Sequence, residues 1–323
     1  MKQLGILLSD HYRLLSVAAI LDVFESVNQF YIAEGKQPAF EISLYNSNAE
    51  RGTNAIEFNG YTVRSIHDSE KQDIVFIPAF GTADIGGAVY KNQKYVPWLQ
   101  QQFKAGAELA CVCTGAFLLG ATGLLNNRQA TTHVDACNQF AHFYPTVKLQ
   151  ADKVVTGDGG LYTSGGSTSS FHLMLHLLQK YCGKDIAVRT AKLFSIDMDR
   201  EQQAYFSTFS PVQQHNDELV SKAQRSIEAD YQNAGTIEEL IKDIPASRRN
   251  IARRFKQVTG ITPIEYLQKT RIEAAKKLLV ETNQQMTEVM IKSGYSDPKA
   301  FRKIFRKTVG MTPTGYREKF YMG

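Results

Sequence analysis

Short, largely apolar runs mark the N-terminal part of the chain: Gly5-Ile6-Leu7-Leu8, Phe40-Glu41-Ile42-Ser43-Leu44-Tyr45, Ile74-Val75-Phe76-Ile77 between Asp73 and Pro78, and Leu109-Ala110-Cys111-Val112. Runs of this length predict strands, and their apolar content predicts burial on both faces. Helices are expected between or after them, near 16–33, 92–105 and 115–122. That alternation predicts an α/β domain with a doubly wound, open parallel sheet covered by helices on both faces, whose ligands sit at the carboxyl ends of strands.

Beyond about residue 226 the apolar period becomes that of helices. Ile237, Leu240, Ile241 and Ile244 share one face until Pro245-Ala246-Ser247 breaks that helix and caps the next. Val289, Met290 and Ile291 play the same part before Gly294-Tyr295-Ser296-Asp297-Pro298, where Asp297 is the expected cap. The basic helices that follow are expected to end at Gly260 and Gly310, because glycine accepts the left-handed geometry that closes a helix. Thr262-Pro263 and Thr312-Pro313 then supply a cap and a first-position proline, so a new helix starts at once. Two helices joined by a tight turn, the second rich in Arg and Lys, describe a helix-turn-helix. Between the two, Ile264, Leu267, Ile272, Ala275, Leu278 and Leu279 predict one helix roughly 27 Å long. Such a helix suits two second helices set at successive major-groove openings, about 34 Å apart.

The two motifs are copies. Arg253, Phe255, Lys256, Gly260, Thr262, Pro263 and Tyr266 recur fifty residues on as Lys303, Phe305, Arg306, Gly310, Thr312, Pro313 and Tyr316. A constant offset of this kind marks structural equivalents. Charge follows the same division: from residue 226 onward the chain has 18 Lys and Arg against 11 Asp and Glu, net +7, while the remainder has 19 against 21, net −2. The basic part suits phosphate, although Lys276, Lys277, Lys292 and Lys307 equally fit a solvated face. With 323 residues and 43% hydrophobic content, two or more domains are expected. Four cysteines, no signal-peptide pattern and no apolar stretch of about 18 residues fit a cytoplasmic protein outside the membrane.

Residues 226–321 resemble the DNA-binding domain of the AraC/XylS family of transcriptional regulators. The likeness rests on Ser247-x-Arg249-x-x-x-Arg253-x-Phe255-Lys256, Gly260-x-Thr262-Pro263-x-x-Tyr266, Arg271, Ala274-Ala275, Leu278-Leu279, and Gly294-Tyr295-x-Asp297 through Phe301, Phe305, Gly310, Pro313 and Tyr316-Arg317. It implies double-stranded DNA as partner, contacted from Ser247, Arg249 and Arg253 in the first copy and from Lys299, Arg302 and Lys303 in the second. Ala252 and Ala300 occupy reading positions where only methyl contact is available.

In the N-terminal part, Cys113 ends a strand and opens the sharp turn Thr114-Gly115-Ala116, as the nucleophile does in an elbow. Unpaired backbone N–H groups and the helix end there are expected to lower its pKa, and His133 is a candidate partner. Cys111, two residues earlier, is expected to point the same way but deeper in the core. Residues 1–190 resemble the PfpI branch of the class I glutamine amidotransferase-like superfamily, whose sheet is flavodoxin-like. The motifs are Ile77-Pro78-Ala79-Phe80-Gly81, Val112-Cys113-Thr114-Gly115-Ala116-Phe117, Gly123-Leu124-Leu125, Ala130-Thr131-Thr132-His133 and Tyr162-Thr163-Ser164-x-Gly166. The resemblance implies a carboxylate facing the cysteine in catalytic relatives; this chain has Ser16 in that place, which is no acid or base at neutral pH. It also implies Trp and Asp in sensor relatives where this chain has Val134 and His172.

The resemblances together imply a ligand-responsive transcription factor rather than an enzyme. A small metabolite is expected near Cys113, His133, Gly81, Ser164 and Ser16, with no catalytic residue assigned. A homodimer is expected, RNA polymerase is a candidate further partner, and 191–225 is expected to connect the domains. A Cys113-dependent hydrolase or deglycase tethered to DNA is the alternative, and a ligand-independent architectural binder is a third reading. His172 and His176 stand one helical turn apart without an evident third ligand, so neither metal nor cofactor is expected. Gly157-Asp158-Gly159-Gly160 and Ser164-Gly165-Gly166-Ser167 fit either anion cradles or turns.

Overall fold

In a computed structural model the chain divides into two compact units, Met1–Gln203 and Ala204–Gly323. The structure describes all residues except 48, 50–56, 167, 199, 201, 202, 204, 205, 207, 208, 210–214, 234, 235, 322 and 323. Ser167 of the second glycine turn, and residues 201, 202 and 210–214 of the expected connection, therefore lie outside the described residues.

The first unit alternates strands and helices: β1 (Lys2–Leu7), α1 (Leu14–Ala33), β2 (Phe40–Asn46), β3 (Glu57–Phe58), β4 (Tyr61–Ser65), β5 (Ile74–Ile77), α2 (Ile85–Lys91), α3 (Val96–Lys104), β6 (Glu108–Cys111), α4 (Ala116–Ala121), β7 (Gln129–Ala130), α5 (Cys137–Phe143), β8 (Lys148–Leu149), β9 (Val155–Asp158), β10 (Leu161–Ser164), α6 (Ser169–Cys182) and α7 (Lys184–Leu193). Eight strands form one sheet in the order β3-β4-β2-β1-β5-β6-β10-β9, and β7 pairs with β8 apart from it. The run β4-β2-β1-β5-β6-β10 is parallel throughout, while β3 and β9 join the edges antiparallel. Strand order reverses at β1, as in a doubly wound sheet.

Both faces are covered. Ile6, Phe76, Ala110 and Val112 pack with Val17, Phe24, Leu173 and Leu177 of α1 and α6. On the other face Leu7, Val75, Ile77, Leu109 and Cys111 pack with Ala88, Leu99, Phe117 and Phe140 of α2 to α5. The four apolar runs of the sequence are thus the four central strands, buried on both sides because helices flank them.

The second unit is helical: α8 (Glu218–Asp230), α9 (Ile237–Ile241), α10 (Arg248–Thr259), α11 (Pro263–Glu281), α12 (Met286–Lys292), α13 (Pro298–Val309) and α14 (Pro313–Phe320). It has two cores. Val220, Ile227, Leu240, Ile251, Phe255 and Tyr266 fill the first; Ile272, Leu279, Val289, Phe301, Phe305 and Tyr316 fill the second. Helix α11 serves both, its first turns in one core and its later turns in the other, and its 19 residues span roughly 28 Å. Helix α8 starts inside the segment expected to be connection, because Val220, Ala223 and Ile227 are wholly buried in the first core.

Local signals explain the helix ends. Ser247 Oγ accepts from Asn250 N, and Asp297 accepts from the N–H groups of Lys299 and Ala300. Gly260 and Gly310 close α10 and α13 at φ +78° and +82°. A side chain at either disfavours that conformation, so Gly310→Val is expected to lower unfolding free energy by about 1–2 kcal/mol. An unchanged urea midpoint would place the helix end elsewhere.

Candidate functional site

Strand β6 runs through extended Val112 into Cys113, whose φ of +54° is left-handed and strained for a residue with a side chain. Its surroundings hold it there. Thr132 Oγ1 donates to the Cys113 carbonyl at 3.0 Å, Gly115 N–H donates to Val112 O at 2.9 Å, and Phe80 N–H donates to Thr114 Oγ1 at 2.9 Å. Gly115 passes so close to β5 that a Cβ there would lie 2.6 Å from Pro78 O. The turn also breaks strand alternation. Cys111 packs on the α2–α5 side and Cys113 on the α1–α6 side, so the expectation that both point one way is corrected.

A cavity of about 10 Å³ adjoins the thiol, bounded by Arg13, Leu15, Ser16, Ala79, Cys113 and Ser170. That is room for about one water. Burial pushes the Cys113 thiol up to about 11, against smaller opposing effects of the Thr114 N–H and the Arg13 charge. The expected lowering is therefore reversed, because removing a thiolate from water outweighs one turn of helix dipole. Ser16 Oγ donates to Arg13 O at 2.7 Å and accepts from Ala79 N at 3.2 Å. It fastens α1 to the end of β5.

The other expected residues lie outside this cavity's lining. His133 is partly exposed, and its Nδ1 accepts from Asp135 N at 3.2 Å, capping a short turn. Gly81 donates to His11 O at 2.6 Å beside the Tyr12–Phe80 bridge. Ser164 is fully buried at the end of β10, its hydroxyl without a hydrogen-bond partner among the described residues. Both nitrogens of His172 lie near backbone carbonyls, Nδ1 3.3 Å from Thr168 O and Nε2 2.8 Å from Asp197 O.

In the second unit, α10 and α13 each bury one stripe and expose the opposite one. Ile251 and Phe255 go inward while Arg249, Arg253 and Lys256 stay exposed; Phe301, Phe305 and Val309 go inward while Lys299, Arg302, Lys303, Arg306 and Lys307 stay exposed. Ser247 is an exposed cap in the first copy. Arg254, adjacent in sequence to Arg253, instead pairs with Asp217 at 2.8 Å and joins α10 to the cap of α8. Lys276 is buried against Glu273 and the Tyr316 ring, so it does not belong to a solvated face.

An open groove of about 740 Å³ runs along α13 to the start of α14, with Arg302, Lys303, Arg306 and Lys307 on one side and Thr312 and Thr314 on the other. Arg306 and Lys307 were not singled out as contacts from sequence. Their signal is the i, i+4 spacing from Arg302 and Lys303, which puts all four cations on one face. Four cations on one helix face suit the phosphates that line a groove.

Comparison with known proteins agrees with both units. A helix-turn-helix domain family matches residues 240–319, and the DJ-1/PfpI family matches residues 44–180. The HTH-type transcriptional regulator GbdR of Pseudomonas aeruginosa is 23% identical over 319 residues, 98% of this chain and 84% of that protein. The regulator CdhR of the same species is 26% identical over 264 residues, covering 79% and 76%. A solved Vibrio parahaemolyticus protein shares the fold of 59% of this chain and 98% of its own, with TM-score 0.50 and 18% identity.

The thiol has a pH signature. Folding favours its protonated form, so the associated stability is complete below the ordinary value of 9.0 and is lost as pH rises toward about 11. In native protein, Cys113 is expected to resist iodoacetamide near pH 7.5 and to react as pH approaches about 11, read by peptide mass. Rapid modification at neutral pH would contradict the burial argument.

Proposed function

This chain joins a DJ-1/PfpI domain to an AraC-type helix-turn-helix domain and is a DNA-binding transcriptional regulator; from that premise we propose that it reads promoter DNA with α10 and α13 under control of a small metabolite. The observation that carries the reading half is the equivalence of the two helices. Each starts at a side-chain cap, buries Phe255 or Phe305, ends at a left-handed glycine, and presents its cations outward. Arg249, Arg253, Lys299, Arg302 and Lys303 are assigned to DNA, with Arg306 and Lys307 as phosphate contacts.

The first unit is read as a sensor and not an enzyme. A neutral, buried thiol is a poor nucleophile, Ser16 supplies no acid or base, and Nδ1 of His133 is engaged with Asp135 N. In the closed form the Cys113 cavity holds about one water, so a metabolite enters only a form in which α1 and the elbow have parted. Ser16, Cys113 and Ser164 are assigned to that opened site, with Gly81 and His133 at its rim. Two chains on paired half-sites, in the cytoplasm and in contact with RNA polymerase, complete the reading. Among the described residues no helix is long and apolar enough to cross a membrane.

Footprinting on upstream fragments tests the reading half. Arg253→Ala is expected to cost about 1–3 kcal/mol at the cognate site and much less on random DNA. Equal losses on both would reassign Arg253 to phosphate contact. For the sensing half, a binding metabolite at about 100 times its dissociation constant adds about 2.7 kcal/mol to the stability of the first unit. Absence of any melting shift across a broad metabolite panel would leave the ligand-independent binder as the reading.

A further inference from the structure

The last residue of the first unit is Gln203, and its side chain is buried at 1% exposure although it lies in the segment expected to be a connection. Its Nε2 donates to Thr132 O at 2.9 Å, Ala151 O at 3.0 Å and Thr131 Oγ1 at 3.1 Å. Its Oε1 accepts from Gly166 N at 3.1 Å, and its own N–H donates to Asp152 O at 3.0 Å. A primary amide is thus fully satisfied in a slot between three other loops. Burial of a polar side chain on such terms fixes one conformation, because a partly filled slot would leave several groups unpaired.

Gly165 shows that the slot is shaped for this occupant. Its φ is not left-handed, so its backbone would accept any residue, yet a Cβ there would lie 2.0 Å from Gln203 Oε1 and 2.5 Å from Cδ. Further anchors precede it: Arg200 donates to Thr168 Oγ1 and Ser169 Oγ, and Asp197 O meets His172 Nε2. The slot is also connected to the elbow. Thr132 holds Cys113 O with its hydroxyl and Gln203 with its carbonyl, while Thr131 binds Gln203 and donates its N–H to Thr163 Oγ1 at 2.6 Å. A shift of the Cys113 carbonyl is therefore felt, through Thr132, by the atoms that hold Gln203.

We propose that Gln203 is a latch that fixes the end of the first unit to the wall behind the elbow, and that its release is the step by which opening of the Cys113 cavity changes promoter binding. The second clause rests on the sensing role proposed above; the latch itself is testable without a metabolite. Two full-length variants break it from opposite sides: Gln203→Ala removes the amide, and Gly165→Ala fills its place while leaving residue 203 intact. Limited trypsin digestion reads cutting after Arg200, and titration of the footprinted promoter fragment reads affinity.

Cutting is expected to quicken about tenfold or more in both variants, since the side-chain hydrogen bonds that close the segment are lost. Promoter affinity is expected to shift in the same direction in both, with the melting temperature of each checked so that a misfolded variant is set aside in favour of the other. Cutting rates within about twofold of the parent would overturn the latch. Faster cutting with unchanged promoter affinity would overturn its regulatory role. Both outcomes are independent of the metabolite panel, so failure there and failure here are distinct.

Discussion

An edge-on pair of rings sets the DNA-reading face. Phe255 meets Tyr266 at 5.2 Å and 83°, and Phe305 meets Tyr316 at 5.7 Å and 77°. In each copy the pair spans the glycine turn, with the Phe on the basic helix and the Tyr on the helix that restarts after it. The turn alone closes a helix without fixing where the next one points. Rings at this spacing add about 0.5–1.5 kcal/mol beyond area burial and, more to the point, orient the two helices against each other. Because Tyr266 stands at the start of α11 and Ile272, Ala275 and Leu279 belong to the second core, the same helix then transmits that orientation from one copy to the next.

The first unit depends on a different balance, between strain and desolvation. A left-handed Cys113 would be costly in a loose turn, but Thr132, Thr114 and the passage of Gly115 over Pro78 hold it. The same close packing that holds the elbow leaves room for about one water and keeps the thiol protonated. The sharp turn of a nucleophile elbow thus carries here a thiol that burial keeps protonated. Ser16 adds to that close packing by using its hydroxyl to tie α1 to the end of β5.

Much of this was legible in the chain. The four apolar runs identified β1, β2, β5 and β6 because strands buried on both faces leave little freedom of composition, and the caps, glycines and prolines of the second unit acted through local geometry that carries over directly to structure. The exposed cations of α10 and α13 followed from the repeat. What the chain did not disclose depends on contacts distant in sequence. The direction of the Cys113 shift turned on burial by α1 and α6, and its separation from Cys111 turned on one positive φ. Lys276 looked solvent-facing until α14 brought Tyr316 beside it, and Gln203 lay among glutamines with no periodicity to mark it. Its only sequence trace is Gly165, a glycine whose reason is a partner 38 residues away.

The energies place the sensor and the latch on one scale. Three net hydrogen bonds of a buried amide, two donated and one accepted, each about 0.5–1.5 kcal/mol, amount to about 1.5–4.5 kcal/mol. A metabolite that binds only the opened cavity contributes about 2.7 kcal/mol at 100 times its dissociation constant and about 4.1 at 1,000 times. A much weaker tether would be loose at all times, and a much stronger one would be deaf to any ordinary metabolite concentration. The shared Thr132 hydrogen bonds, its hydroxyl on Cys113 O and its carbonyl on Gln203, make the amide slot the route along which the elbow and the end of the first unit are coupled.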